Sequence, residues 1–408
     1  MIERKEYLKA LQDWRDQRVI KVITGIRLCG KSTLLRQYRE WLLASGVKAE
    51  NIISVNLEDL AFEELLDYKK LYAYVSERLT GNAMTYIFLD EVQMVPDFQR
   101  AVDSLFLRED VDICITGSNA YLLSGELATL LSGRYVEINM LPLSFREYCT
   151  VHPNEDPDRL FADFLRDGSL PYIVTLDGTE EMKDMYLEGI YNTIIVKDIE
   201  ERQKRRESDP NKRKVADLVL LKNIARFLAG SVGSPVSDKS IAGYITSGGR
   251  KVSQATVSDY VDALVEPYIF YPAERYDVVG KQTLKTNGKL YIADLGLRRH
   301  ILPRSRYDLG FSLENVVYLE LRRRGWTVFV GKAGNSEIDF VARKNDRLHY
   351  YQVTASMTEE STFEREMAPL RSIRDNYPKT VLTLDRFSLG NYEGIEVENA
   401  VDWLREEP

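Results

Sequence analysis

Short runs rich in β-branched and aromatic residues punctuate the first 140 residues of the chain, at 19–24, 51–57, 86–91, 111–119 and 135–140. Helix-length polar segments separate them, and the first opens Thr33-Leu34-Leu35-Arg36-Gln37-Tyr38, with apolar residues at helical spacing. Strands alternating with helices predict an α/β domain over residues 1–150 with a largely parallel sheet. Ligands of such sheets sit at the carboxyl ends of the strands.

After His152-Pro153-Asn154-Glu155-Asp156-Pro157 the alternation gives way to a helical pattern, which predicts a second region over 151–300. Gly168-Ser169-Leu170-Pro171-Tyr172-Ile173 reads as a turn within it, and the mixed charges of 197–214 as a solvated helix face or loop. Helices are expected over 220–229, 237–245 (with Ser237 as N-cap) and 253–264, then a strand over 268–275. That order is a winged helix-turn-helix, at about 215–276. A third region, 301–408, is expected to hold a helix at 313–321 and strands at 326–330, 336–342, 348–354 and 382–385.

A length of 408 residues fits two or three domains. With 44% hydrophobic and 29% charged residues the chain reads as globular, and its net charge of −8 argues against non-specific coating of nucleic acid. Cys29, Cys114 and Cys149 show neither a disulfide framework nor zinc spacing, so a reducing cytoplasm is the expected compartment. Met1-Ile2-Glu3-Arg4-Lys5-Glu6 has no apolar core of a secretion signal, and no run approaches the ~18 apolar residues of a membrane span, so no membrane partner is expected.

The chemistry concentrates at strand ends. Gly25-Ile26-Arg27-Leu28-Cys29-Gly30-Lys31-Ser32 is a complete G-x-x-x-x-G-K-[ST] loop between a β-rich run and a helical one, the context in which backbone N–H groups converge on phosphates. Gly25, Arg27, Gly30, Lys31, Ser32 and Thr33 are the nucleotide-binding candidates. Lys31 would reach the β- and γ-phosphates, and Ser32 would ligate Mg²⁺. The third strand ends in Asp90-Glu91, and a buried strand ending in two carboxylates is costly unless something there needs charge. Asp90 is the expected Mg²⁺ partner through water, and Glu91 the residue that polarises the attacking water. Asn119, after the fourth strand, reads as a γ-phosphate sensor or water-holding residue, or as a plain turn. Arg134 reads as an arginine finger, within its own subunit or in a neighbour's within a homo-oligomer, or equally as a surface arginine.

These residues resemble the AAA+-like bacterial and archaeal ATPases that carry an uncharacterised conserved domain at their C-terminus. The motifs are Gly25…Lys31-Ser32, Phe88-Leu89-Asp90-Glu91-Val92-Gln93, Thr116-Gly117-Ser118-Asn119, Ser132-Gly133-Arg134 and Leu141-Pro142-Leu143-Ser144-Phe145-Arg146-Glu147-Tyr148. The resemblance implies a P-loop NTPase sheet of strand order 5-1-4-3-2, the fourth strand lying between the first and third. It also implies ATP rather than GTP, and no guanine-reading N-K-x-D motif is seen. Many relatives carry a second basic residue where this chain has Leu28.

The 301–408 pattern resembles a restriction-endonuclease-like domain. In active members an acid on the helix, an Asp on the second strand and a Glu/Gln-x-Lys on the third hold Mg²⁺ and position water. Glu314, Asp339 and Gln352 match these positions, but Thr354 stands where the lysine would be. The expectation is a non-catalytic domain with a vestigial site that either holds a metal or forms a polar core. The whole reads as a Mg²⁺-dependent ATPase whose nucleotide state controls the downstream regions, with double-stranded DNA as ligand. The alternatives are a slow nucleotide-gated switch that binds a protein partner and an ATP-regulated nuclease. In the winged helix, Gln254 and Ser258 would face the major groove with Arg250 and Lys251 near the backbone, although Asp259, Asp262 and Glu266 have the wrong sign.

Overall fold

The computed structural model describes residues 2–81, 83–118, 133–198, 217–302, 308–334 and 336–407. The chain divides into two compact units, residues 1–142 with 266–268 and residues 143–265 with 269–408.

The first unit is built on five parallel strands: β1 (Ile20–Thr24), β2 (Ile52–Asn56), β3 (Thr85–Asp90), β4 (Val111–Gly117) and β5 (Tyr135–Asn139). Their order is β2-β3-β4-β1-β5, which is the expected 5-1-4-3-2 of a P-loop NTPase. Every residue of β1 and β3 is buried, because helices cover both faces of such a sheet and leave no solvent side for alternation. Among the described residues, four α-helices belong to this unit: α1 (Lys5–Asp13), α2 (Lys31–Ala44), α3 (Tyr68–Ser76) and α4 (Phe98–Phe106). In α2 the buried residues Leu34, Leu35, Tyr38 and Leu42 recur at the spacing of one helix face. Val102 and Leu105 of α4 join Val22, Ile87, Leu89 and Ile115 in the core. Sequence and structure agree here to within one or two residues at every strand.

The second unit opens with α5 (Phe145–Val151), whose Ser144 and Glu147 form a reciprocal capping box. Three helices follow later: α6 (Leu218–Gly230), α7 (Asp238–Ser247), capped by Ser237 as expected, and α8 (Gln254–Val265). They lead into the antiparallel hairpin of β6 (Phe270–Asp277) and β7 (Gln282–Ile292), and Pro235, between the first two helices, makes an antiparallel bridge to Lys289 of β7. The order is three helices followed by an antiparallel hairpin. The hairpin continues into an eight-stranded sheet with β8 (Thr327–Ala333), β9 (Ser336–Lys344), β10 (Arg347–Thr354), β11 (Lys379–Thr383), β12 (Gly390–Tyr392) and β13 (Ile395–Asn399), in the order β12-β13-β11-β10-β9-β8-β6-β7. Helix α9 (Leu309–Arg323) precedes β8, and α10 (Glu360–Ser372) lies between β10 and β11. The first break falls near residue 142 rather than 150. None falls near 300, because the pairing of β6 with β8 carries one sheet across that position.

Candidate active site

The phosphate loop leaves β1 through Gly25, whose φ of 146° belongs to glycine; a Cβ there would stand 2.1 Å from the Met140 carbonyl oxygen. Gly30 takes a left-handed conformation as the N-cap of α2, so the first N–H groups of that helix face the loop without intrahelical partners. Lys31 is buried. Its ammonium donates to the Gly25 and Ile26 carbonyls at 3.2 and 3.3 Å and to the Ser118 hydroxyl at 2.8 Å, and stands 3.8 Å from Glu91.

Two residues of β4 and its exit organise the carboxylates. Thr116 Oγ1 donates to Asp90 Oδ1 at 2.5 Å and accepts from the Glu91 backbone N–H at 2.9 Å. Ser118 Oγ donates to Glu91 Oε1 at 2.8 Å, and the Gln93 amide donates to Glu91 Oε2. Glu91 has a left-handed backbone, φ 52°, unusual for a residue other than glycine. Burial pushes the Glu91 carboxyl up, but the Lys31 ammonium, Gln93 and Ser118 more than offset this, so it titrates below its ordinary range. A unit-charge pair about 4 Å apart attracts by roughly 4 kcal/mol at an effective dielectric of about 20. Asp90 is shifted the other way: burial raises it more than the hydrogen bonds from Thr116 and Ser32 lower it. The Ser32 hydroxyl thus meets the Asp90 carboxylate, a pair of hard oxygen donors suited to Mg²⁺.

Lys31, Ser32, Asp90 and Glu91 are therefore brought together. Thr33 lies one residue further into α2. Arg27 is bound to Glu58 at 2.6 Å. Asn119 lies outside the described residues. Arg134 requires a correction for a role within its own subunit. It stands just before β5, at the level where Ile20 begins β1. The phosphate loop is at the other end of β1, four residue steps or roughly 13 Å away. There Arg134 pairs with Asp103 of α4 at 2.5 Å and lies over the Phe106 ring.

Sequence reasoning missed four residues of this site: Thr116, which holds Asp90 and the Glu91 N–H, and Arg4, Gln93 and Ser118. Arg4, only 2% exposed, donates to the carbonyls of Cys29 in the phosphate loop at 2.9 Å and of Leu141 and Pro142 at 2.8 and 3.3 Å. Gln93 and Ser118 hold the Glu91 carboxylate. Gln93, Thr116 and Ser118 were within reach of the sequence, since they lie in the motifs Phe88-Leu89-Asp90-Glu91-Val92-Gln93 and Thr116-Gly117-Ser118-Asn119.

In the second unit Glu314 of α9 and Asp339 of β9 do converge, but on a lysine. Lys289 Nζ of β7 stands 3.0 Å from Glu314 Oε1, 2.9 Å from Glu337 Oε1 and 3.9 Å from Asp339 Oδ1. Burial works against the charged ammonium, and the three carboxylates outweigh it, so Lys289 stays protonated. Gln352 does not join this group through its donor: its amide N–H donates to Glu366 at 3.0 Å and its oxygen accepts from the Asp339 backbone N–H at 3.4 Å. Among the described residues no group of three or more His, Cys, Asp or Glu is arranged to hold a metal. Of the two expectations for Glu314, Asp339 and Gln352, a metal site or a polar core, the contacts with Lys289 and Glu366 fit the polar core.

Of the residues expected to face DNA, Gln254 is exposed at the start of α8 and Ser258 is half-buried. The Arg250 guanidinium is bound by the Asp217 carboxylate. No helix among the described residues is long and apolar enough to cross a membrane.

Comparison with known proteins agrees with this architecture. A family model described as an AAA domain matches residues 17–149, and one described as a domain of unknown function (DUF8612) matches residues 158–308. An uncharacterised protein of Haemophilus influenzae is 40% identical over 99% of this chain and 98% of its own length. Another, of Methanocaldococcus jannaschii, is 29% identical over 92% of this chain and 83% of its own. Among solved structures, a Walker-type ATPase of Pyrococcus abyssi aligns with 74% of this chain and 96% of its own at 16% identity and a TM-score of 0.47. The chain belongs to the family of its Haemophilus relative, AAA-type P-loop ATPases in which the nucleotide-binding domain precedes a C-terminal region of unknown function.

Proposed function

We propose that the chain is a Mg²⁺-dependent ATPase whose nucleotide state controls its winged-helix and nuclease-like regions, with double-stranded DNA as their ligand. The observation that carries the first part is the pairing of two arrangements beside one phosphate loop. Ser32 with Asp90 offers hard oxygens, and Lys31, Ser118 and Glu91 form a buried, hydrogen-bonded charge pair. The loop's N–H groups and Lys31 would hold the phosphates. Ser32 would hold Mg²⁺ directly and Asp90 through water, and the bound ion would offset phosphate charge. Glu91, kept ionised, would polarise the attacking water, with Asn119 as its companion. Arg27 would reach the nucleotide or a partner after release from Glu58.

DNA as the ligand rests on the helix–helix–helix–hairpin order of residues 218–292 and the exposed Gln254. The binding of Arg250 by Asp217 favours a second reading, a slow switch that engages a protein partner, since it neutralises a cation that DNA binding would use. Steady-state ATP turnover at low salt, with and without double-stranded DNA, separates them. Stimulation by DNA supports the first reading. An unchanged rate rejects DNA as the ligand and favours the protein-binding switch.

A further inference from the structure

In nuclease-like domains that cleave, a divalent ion sits between the helix acid and the second-strand acid. Here those two acids are Glu314 and Asp339, and the space between them is claimed by a side chain from a different part of the chain. Lys289 is held from both sides of its own strand, paired with Ala273 of β6 and bridged to Pro235. Its side chain is 3% exposed. The ammonium has three N–H donors, and three carboxylates from α9 and β9 surround it at 2.9 to 3.9 Å.

The remaining polar groups leave little for a metal. Glu314 Oε1 also accepts from the Tyr291 hydroxyl at 2.7 Å. Asp339 Oδ2 accepts the Val353 N–H at 2.8 Å. Thr354, at the position of the missing lysine, donates to the Ser356 carbonyl at 3.1 Å. A divalent ion would have to enter beside a fixed positive charge and displace it from its partners.

We infer that the Lys289 ammonium takes the place of the metal. The nuclease-like region is then a metal-free scaffold in which one buried cation ties the hairpin strand β7 to α9 and β9. The site is an internal anchor between the hairpin that follows the three helices and the nuclease-like core, and it needs no divalent ion to form. This inference stands apart from the ATPase reading.

Binding of Mn²⁺ to the nucleotide-free full-length protein, counted by electron paramagnetic resonance, tests it. Wild type and Asp339→Asn should bind the same number of ions. Lys289→Met keeps the length of the side chain and removes its charge; it should gain one site per chain. Adding Asp339→Asn to it should weaken that site at least tenfold. Any ion bound at the phosphate loop is common to all four proteins and cancels. A wild-type site lost in Asp339→Asn overturns the inference, as does a folded Lys289→Met variant that gains none. Should Lys289→Met fail to fold, the comparison of wild type with Asp339→Asn decides alone.

Discussion

Lys31 and Glu91 face each other at 3.8 Å across the Ser118 hydroxyl, which accepts from one and donates to the other, each at 2.8 Å. The ammonium expected to grip phosphate and the carboxylate expected to polarise water are thereby parts of one buried network. Lys31 follows β1 and Glu91 follows β3, and Ser118 bridges them because β4 lies between those strands and parallel to both, with Thr116 opposite Ile23 and Ile115 opposite Leu89.

That network makes the stability of the fold sensitive to acid in a defined direction. The Glu91 carboxyl titrates below its ordinary 4.5 in the folded protein. Its stabilising contribution is complete above the unfolded value and is lost as pH falls through the lower folded value. The difference in urea midpoint between wild type and Glu91→Gln should be constant from pH 8 to 6 and shrink below about pH 4.5. A difference that grows on acidification would contradict the assignment of Lys31 as the controlling neighbour.

Arg4 joins the loop to the segment after β5 through three carbonyl oxygens. Arg4→Ala would leave those acceptors buried without their charged donor, at a cost of about 3 kcal/mol. Chemical denaturation should show that loss, and nucleotide affinity should fall with it. Arg4→Lys should recover less than half, because an ammonium cannot reproduce the planar fork that spans Cys29 and Leu141.

Arg134, at the far end of β1 from the loop, should contribute nothing to chemistry within its own subunit. Arg134→Ala should keep ATP turnover within about twofold when assayed on dilute protein, while losing the pairing with Asp103, an exposed contact worth about 1 kcal/mol or less. A hundredfold fall in turnover without loss of fold would point to a neighbouring subunit that receives this arginine.

The first unit was legible in the sequence because its information is local. Buried parallel strands read as apolar runs, and the loop glycines, Lys31 and the carboxylates are adjacent to them in the chain. Arg4 was not legible, since its partners Leu141 and Pro142 are more than 130 residues away and nothing in Glu3-Arg4-Lys5 distinguishes it from a surface arginine. Strand β7 was missed for a different reason. Asn287-Gly288 has the composition of a hairpin turn, yet the strand runs through it. Glycine is needed at 288 because a Cβ would stand 2.6 Å from the Ala273 carbonyl oxygen of β6. With β7 unseen, Lys289 could not be placed among the acids of α9 and β9, and the continuity of the sheet across residue 300 was hidden with it. The expected site of Glu314, Asp339 and Gln352 came from the resemblance to restriction-endonuclease-like domains, which does not report a cation arriving from another strand.

Paired measurements of ATP binding and steady-state turnover on wild type, Lys31→Ala and Glu91→Gln test the central claim most directly. Lys31→Ala should bind ATP at least a hundredfold more weakly, about 2.7 kcal/mol. Glu91→Gln should retain binding within about threefold and lose turnover by a hundredfold or more. Hydrolysis by Glu91→Gln at the wild-type rate would contradict the assignment of the water-polarising residue.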